Sequence, residues 1–326
     1  MKNEMTGAER VLAVLEGKDF DRQPITGWLE ANMSDKICAA YGSMRAMEDH
    51  YEFDLKHLFS GVRSHNKDLI KQLWDKYGEL TPDVAVEEYS LMSPDIPESY
   101  ERLKGELAFH KSRGRFTSVQ TPGFFEQYND IFGIENQLAY LLMYPDELEE
   151  LYTRQEEWTI KFAGHCIDLG VDMIHISDDW GSQIDLMFNP QLWWDLIYPH
   201  LKRISEFVHS RGAHLSLHSC GCVRKLLDGI ADVGFEVVHP FQENANMPYT
   251  LWLDNYQDKF ALQGGINVQN ALGVLPQDKL EAEIRRIFSL LRGKRWIVNT
   301  SHFVQAHCTM EDLDFAYKLI YKLARE

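Results

Sequence analysis

Short runs of aliphatic, β-branched and aromatic residues recur along the chain, each followed by a longer stretch in which apolar positions return every three or four residues. The first pattern suits a buried strand and the second suits one face of a helix. Eight runs predict strands: Pro24–Leu29, Leu55–Phe59, Phe116–Thr121, Met173–Ser177, Leu215–Ser219, Val237–Phe241, Phe260–Gly265 and Trp296–Thr300. Strands that alternate with helices belong to a parallel sheet. Eight such units over 326 residues predict a closed (β/α)8 TIM barrel, built as a single α/β domain over residues 1–326. An open doubly wound sheet is the alternative, but no Gly-x-Gly-x-x-Gly follows any of the runs, so a dinucleotide crevice is not expected.

The helices carry their own start and stop signals. Asn189-Pro190 opens a segment that runs to Ser210 and ends at Arg211-Gly212, and Pro145 opens another through Glu156. Residues 60–115 are the least regular part and read as an insertion between the second and third strands.

Composition narrows the range of partners. Hydrophobic residues make up 44% of the chain and charged ones 25%, which suits a folded, soluble protein. The net charge of −17 argues against nucleic acid, whose binding draws on clustered Lys and Arg. The five cysteines, at 38, 166, 220, 222 and 308, lack the spacing of a disulfide framework, so a reducing cytoplasm is expected. The N-terminus has no apolar signal core and no run is long enough to span a bilayer, so neither export nor membrane insertion is expected.

The chemistry concentrates where the strands end. In His214-Leu-Ser-Leu-His218-Ser-Cys220-Gly-Cys222 an alternating strand stops in an imidazole and two thiols, and residues two apart point the same way. Zinc accepts imidazole and thiolate together, and a catalytic zinc takes three protein ligands. A distant segment must then close the set, and Thr300-Ser-His302-Phe-Val-Gln-Ala-His307-Cys308 is the candidate, while Cys222 can aim at the same point. Inert burial of the cysteines and a local hydrogen bond for the histidine are the competing reading. Barrel active sites gather at the C-terminal strand ends. That rule collects Trp28 and Glu30, Phe125 and Glu126, Asp178, Asp179, Trp180 and Gln183, then His218 and Cys220, Gln242, Gly264-Gly265 and His302. Adjacent carboxylates such as Asp178 and Asp179 repel when both are buried and charged, so they are expected to have different tasks.

In order and spacing, several of these marks resemble the uroporphyrinogen decarboxylase superfamily. They are Glu9-Arg10 through Gly17 with Asp21-Arg22-Gln-Pro24, Gly123-Phe-Phe-Glu126, Ser177-Asp178-Asp179-Trp180-Gly181, His218-Ser-Cys220-Gly221, Pro240-Phe-Gln242, Gly264-Gly-Ile266 and Ser301-His302. The resemblance implies a (β/α)8 barrel with its site in the mouth. Its decarboxylase branch, which needs no metal, grips a polycarboxylate tetrapyrrole with arginines and an aspartate in Phe-Ser-Asp. Here the first strand exits as Trp28-Leu-Glu30 and the other segment reads Phe59-Ser60-Gly61. Both departures point toward the cobamide-dependent methyltransferase branch, whose members with His-x-Cys hold catalytic zinc with it and a later cysteine. His218-x-Cys220 matches, and His302 stands where the later cysteine is expected.

The resemblance thus implies a zinc-dependent methyltransferase that moves a methyl group between a small methylated substrate, an aryl ether or a thiol, and a corrinoid on a separate protein. Zinc would sit on His218, Cys220 and His302. Asp178 and Glu126 would orient groups or carry protons, and Trp28, Glu30, Phe125, Asp179, Trp180, Gln183 and Gln242 would line the substrate site. A metal-free decarboxylase and a non-catalytic tetrapyrrole- or corrinoid-binding protein are the alternatives.

Overall fold

A computed structural model describes residues 4–326. Among them are seven strands, β1 (Leu55–Leu58), β2 (Phe116–Pro122), β3 (Met173–Ser177), β4 (His214–His218), β5 (Val237–His239), β6 (Ala261–Ile266) and β7 (Trp296–Thr300), with helices in the intervals. The strands follow chain order in one sheet. The pairings of β2 with β3, β3 with β4, β5 with β6 and β6 with β7 are parallel. The predicted α/β class with a parallel sheet is found, with seven strands where eight were expected.

The difference lies in Pro24–Leu29, which is reduced to one parallel bridge between Ile25 and Val298. Its backbone still bonds on two sides. Toward β7, Val298 N–H donates to Pro24 O at 2.9 Å and Thr26 N–H to Val298 O at 2.8 Å. Toward β1, Asp54 N–H donates to Ile25 O at 2.8 Å, but Ile25 N–H donates to the Asp54 carboxylate at 2.7 Å instead of a strand carbonyl. A side chain has replaced one link of the ladder, so no regular strand forms. Asp54 is buried between the guanidinium groups of Arg10 and Arg22.

The chain divides into two compact units. The first takes residues 4–57, 109–117 and 236–326. Its opening helix, Gly7–Leu15, begins in a capping box: Thr6 Oγ1 accepts from Glu9 N–H, and the Glu9 carboxylate accepts from Thr6 N–H. That satisfies two donors a helix start leaves free, while Val11, Val14 and Leu15 go into the core. The helices Gln277–Leu291 and Met310–Leu323 bury single stripes, Leu280, Ile284, Ile287 and Leu291 in one and Leu313, Ala316, Ile320 and Leu323 in the other.

The second unit takes residues 58–108 and 118–235, which include β3 and β4. Its helix Pro145–Asp168 runs well past the predicted end at Glu156, because the apolar stripe continues through Trp158, Phe162 and Cys166. The single helix predicted from Asn189 to Ser210 is two, Pro190–Leu196 and Tyr198–Ser210. Pro199 causes the break, since it has no N–H to bond back to residue 195. The stretch predicted to be irregular contains the helices Lys67–Tyr77, Pro82–Glu88 and Glu101–Lys111. Polar spacing hid them: Lys67–Tyr77 buries only Ile70 and Leu73.

Candidate metal centre

Parallel pairing places the ends of β3 and β4 side by side, with Ser177 opposite His218. Leu215 and Leu217 anchor β4 in the core, and His218 ends it nearly buried. Past His218 the chain turns through Gly221, at φ +78°, and passes so close to Gly181 that a Cβ on Gly221 would fall 2.4 Å from the Gly181 carbonyl oxygen. Only glycine permits that approach. The turn brings Cys220 Sγ to 3.4 Å from His218 Nε2.

Asp179 closes over this pair. Its Oδ1 accepts the Cys220 N–H at 2.7 Å and lies 3.4 Å from His218 Nε2. Burial pushes the Cys220 thiol well up, and the negative charges of Asp179 and Glu126 push it further. Without a cation the thiol is therefore neutral. A divalent cation would reverse that balance and draw the thiolate as a ligand. The donor set, an imidazole and a thiol beside the Asp179 carboxylate, fits a soft divalent metal such as zinc.

Asp178 faces the other way. It is fully buried, and its carboxylate accepts three backbone N–H groups at the start of the helix Phe125–Phe132: Phe124 at 2.8 Å, Phe125 at 3.1 Å and Glu126 at 2.7 Å. Burial raises its carboxyl to about 6 against the downward pull of those three donors. Glu126, thus positioned, is raised to about 8 by desolvation first and then by Asp179 and Asp178. It is the carboxyl group here that is protonated at neutral pH.

Glu126 opens onto a cavity of about 370 Å³ in the second unit, lined also by Ser60, Arg63, His65, Gln120 and Ser177. Sequence reasoning missed this wall because the loop after β1 read as the start of an insertion. The loop is pinned: His65 Nδ1 meets Tyr89 OH at 2.6 Å, and Gln127 Nε2 donates to Ser64 Oγ at 2.5 Å. The available signal was the amide side chain of Gln120 near the end of the strand.

The remaining predicted residues divide between the two units. In the second, Phe125 packs on Phe188 and Trp180 on Trp193, both fully buried, so they serve the core and do not line this cavity. Gln183 is exposed on the loop after β3. In the first, Glu30 pairs with Lys56, which Glu48 also holds. Trp28 is buried among His57, His239 and Phe303, and Gln242 is buried at the start of a short turn. His302, just past β7, stands edge-on to Trp28 and Phe303 with centroids 6.2 and 5.4 Å away. Cys222 and Cys308 are buried, the first with its N–H on Ser182 O and the second with its thiol on Thr309 O.

Comparison with known proteins adds a lineage. The sequence profile described as "Uroporphyrinogen decarboxylase (URO-D)" matches residues 130–323, more than half of the chain. A methylcobamide:CoM methyltransferase, MtaA, of Methanosarcina barkeri is 26% identical over 178 residues, covering 47% of this chain and 51% of that protein. A uroporphyrinogen decarboxylase of Chlamydia caviae is 24% identical over 181 residues, covering 55% and 51%. The chain spans about half the length of these curated relatives. A solved methyltransferase from Methanosarcina mazei shares the fold, with a TM-score of 0.67 over 97% of this chain and 98% of that one, at 17% identity.

Proposed function

This chain belongs to the uroporphyrinogen decarboxylase family, and from that premise we propose that it is a methyltransferase that holds zinc on His218, Cys220 and His302. It exchanges a methyl group between a small methylated substrate, an aryl ether or a thiol, and a corrinoid carried by a separate protein. The observation that carries this reading is the imidazole–thiol pair of His218 and Cys220, 3.4 Å apart at a strand end beneath Asp179. The methyltransferase named among the relatives supports methyl transfer with a cobamide.

Zinc, when bound, supplies Lewis acidity, which turns a thiol into its thiolate or draws electron density from an ether oxygen. The chain's own residues do the rest. Cys220 would hold the metal as a thiolate beside the imidazole of His218. Glu126, protonated near neutrality and open to the cavity, hands its proton to a leaving oxygen. Asp178 touches no substrate: it fixes the helix start that presents Glu126.

The test is elemental analysis of the purified protein, followed by methyl transfer from methylcobalamin to a thiol read from the cobalamin spectrum. Bound zinc and turnover that chelation abolishes are expected. Metal-free protein whose His218→Ala variant keeps full activity would instead favour a decarboxylase of the family's other kind.

A further inference from the structure

We infer that Asp179 is itself a protein ligand of this metal, an oxygen donor beside the imidazole of His218 and the thiolate of Cys220; the inference rests on the zinc reading above. In a four-coordinate tetrahedral site neighbouring donors stand about 1.6 bond lengths apart, so bonds of roughly 2.0–2.3 Å separate them by about 3.3–3.8 Å. His218 Nε2 lies 3.4 Å from Cys220 Sγ and 3.4 Å from Asp179 Oδ1. The imidazole nitrogen thus already stands from the sulfur and from the oxygen at the spacing a tetrahedral ion would impose.

Two further observations place the carboxylate there by construction. The Cys220 N–H holds Asp179 Oδ1 at 2.7 Å, so the turn that presents the thiol also fixes the oxygen. Charge balance asks for it too. A dication on an imidazole and a thiolate keeps a net positive charge beside a nearly buried strand end, and one carboxylate cancels it. Asp178, its neighbour, is spent on three backbone N–H groups and is not available for the task.

The experiment loads the full chain with zinc or cobalt(II) and compares it with the Asp179→Asn and Asp179→Ala variants, each checked for folding by circular dichroism. Asparagine keeps an oxygen for the Cys220 N–H, so orientation of the turn survives while ligation weakens. Zinc affinity, measured by competition with a chromophoric chelator, is expected to fall about tenfold or more in Asp179→Asn. The cobalt d–d bands are expected to shift while the thiolate charge-transfer band remains. Wild-type affinity and an unchanged cobalt spectrum in Asp179→Asn would overturn the Asp179 assignment and leave the zinc site standing. A wild-type chain that binds neither metal would overturn the zinc reading and this inference together.

Discussion

Gly123 lies directly against the carboxyl group of Asp178: a Cβ on it would fall 2.3 Å from Asp178 Cβ and 2.4 Å from Cγ. Nothing but hydrogen fits between them. Gly123→Ala therefore pushes the carboxylate off the three amides it holds, and should lower the unfolding free energy by about 2 kcal/mol, as overpacking does. Asp178→Ala removes the carboxylate and leaves buried N–H groups unmatched, at a cost of roughly 2–4 kcal/mol. Urea denaturation measures both, and two variants as stable as the wild type would show that the helix start does not depend on Asp178.

Lys56 sits between Glu30 and Glu48 with little exposure. Lys56→Met strands two carboxylates and should cost about 3 kcal/mol, the usual penalty for breaking a buried ion pair. Glu30→Gln should leave ligand binding unchanged, because its partner is the lysine. A selective loss of substrate affinity in Glu30→Gln, with stability intact, would return Glu30 to the substrate site.

Zinc content separates the cysteines by role. His218→Ala and Cys220→Ser should each lose bound zinc, whereas Cys222→Ser and Cys308→Ser should keep it, since the core encloses the latter two thiols. Atomic absorption after dialysis reads the result, and full zinc retention in Cys220→Ser would remove the thiolate from the site.

Glu126 sets a pH dependence. Its carboxyl is raised from 4.5 to about 8, so the folded chain binds that proton more tightly than the unfolded chain. The stabilisation is complete below about pH 4.5 and disappears as the pH climbs through 8. Metal-free wild type should therefore lose stability relative to Glu126→Gln across that window. Parallel urea midpoints at pH 5 and pH 8.5 measure it, and a constant difference between the two proteins would refute the raised value.

The seven strands were legible because parallel strands covered on both faces read as continuous apolar runs. β3 and β7 matched their predicted limits residue for residue. Pro24–Leu29 was misread because sequence cannot show that a carboxylate thirty residues on will take the place of a carbonyl. The pairing of His218 with Cys220 followed from strand alternation and a glycine turn. The roles of Asp178 and Asp179 did not. Adjacent in sequence and alike in chemistry, one binds three amides and the other the Cys220 turn, and only the packing of the helix after β2 decides which. The burial of Phe125 and Trp180 was not legible for a related reason: at a strand end an aromatic that lines a cavity and one that fills the core have the same sequence signature.

Main-chain hydrogen bonds are indifferent to mutation, because every residue but proline carries the same donor and acceptor. At Ile25 the sheet has given one of those bonds to the Asp54 side chain. A link that no ordinary substitution could cut elsewhere in a ladder is here encoded by a single codon. The join between the N-terminal segment and β1 is therefore inherited in the way a binding site is, through the identity of one residue.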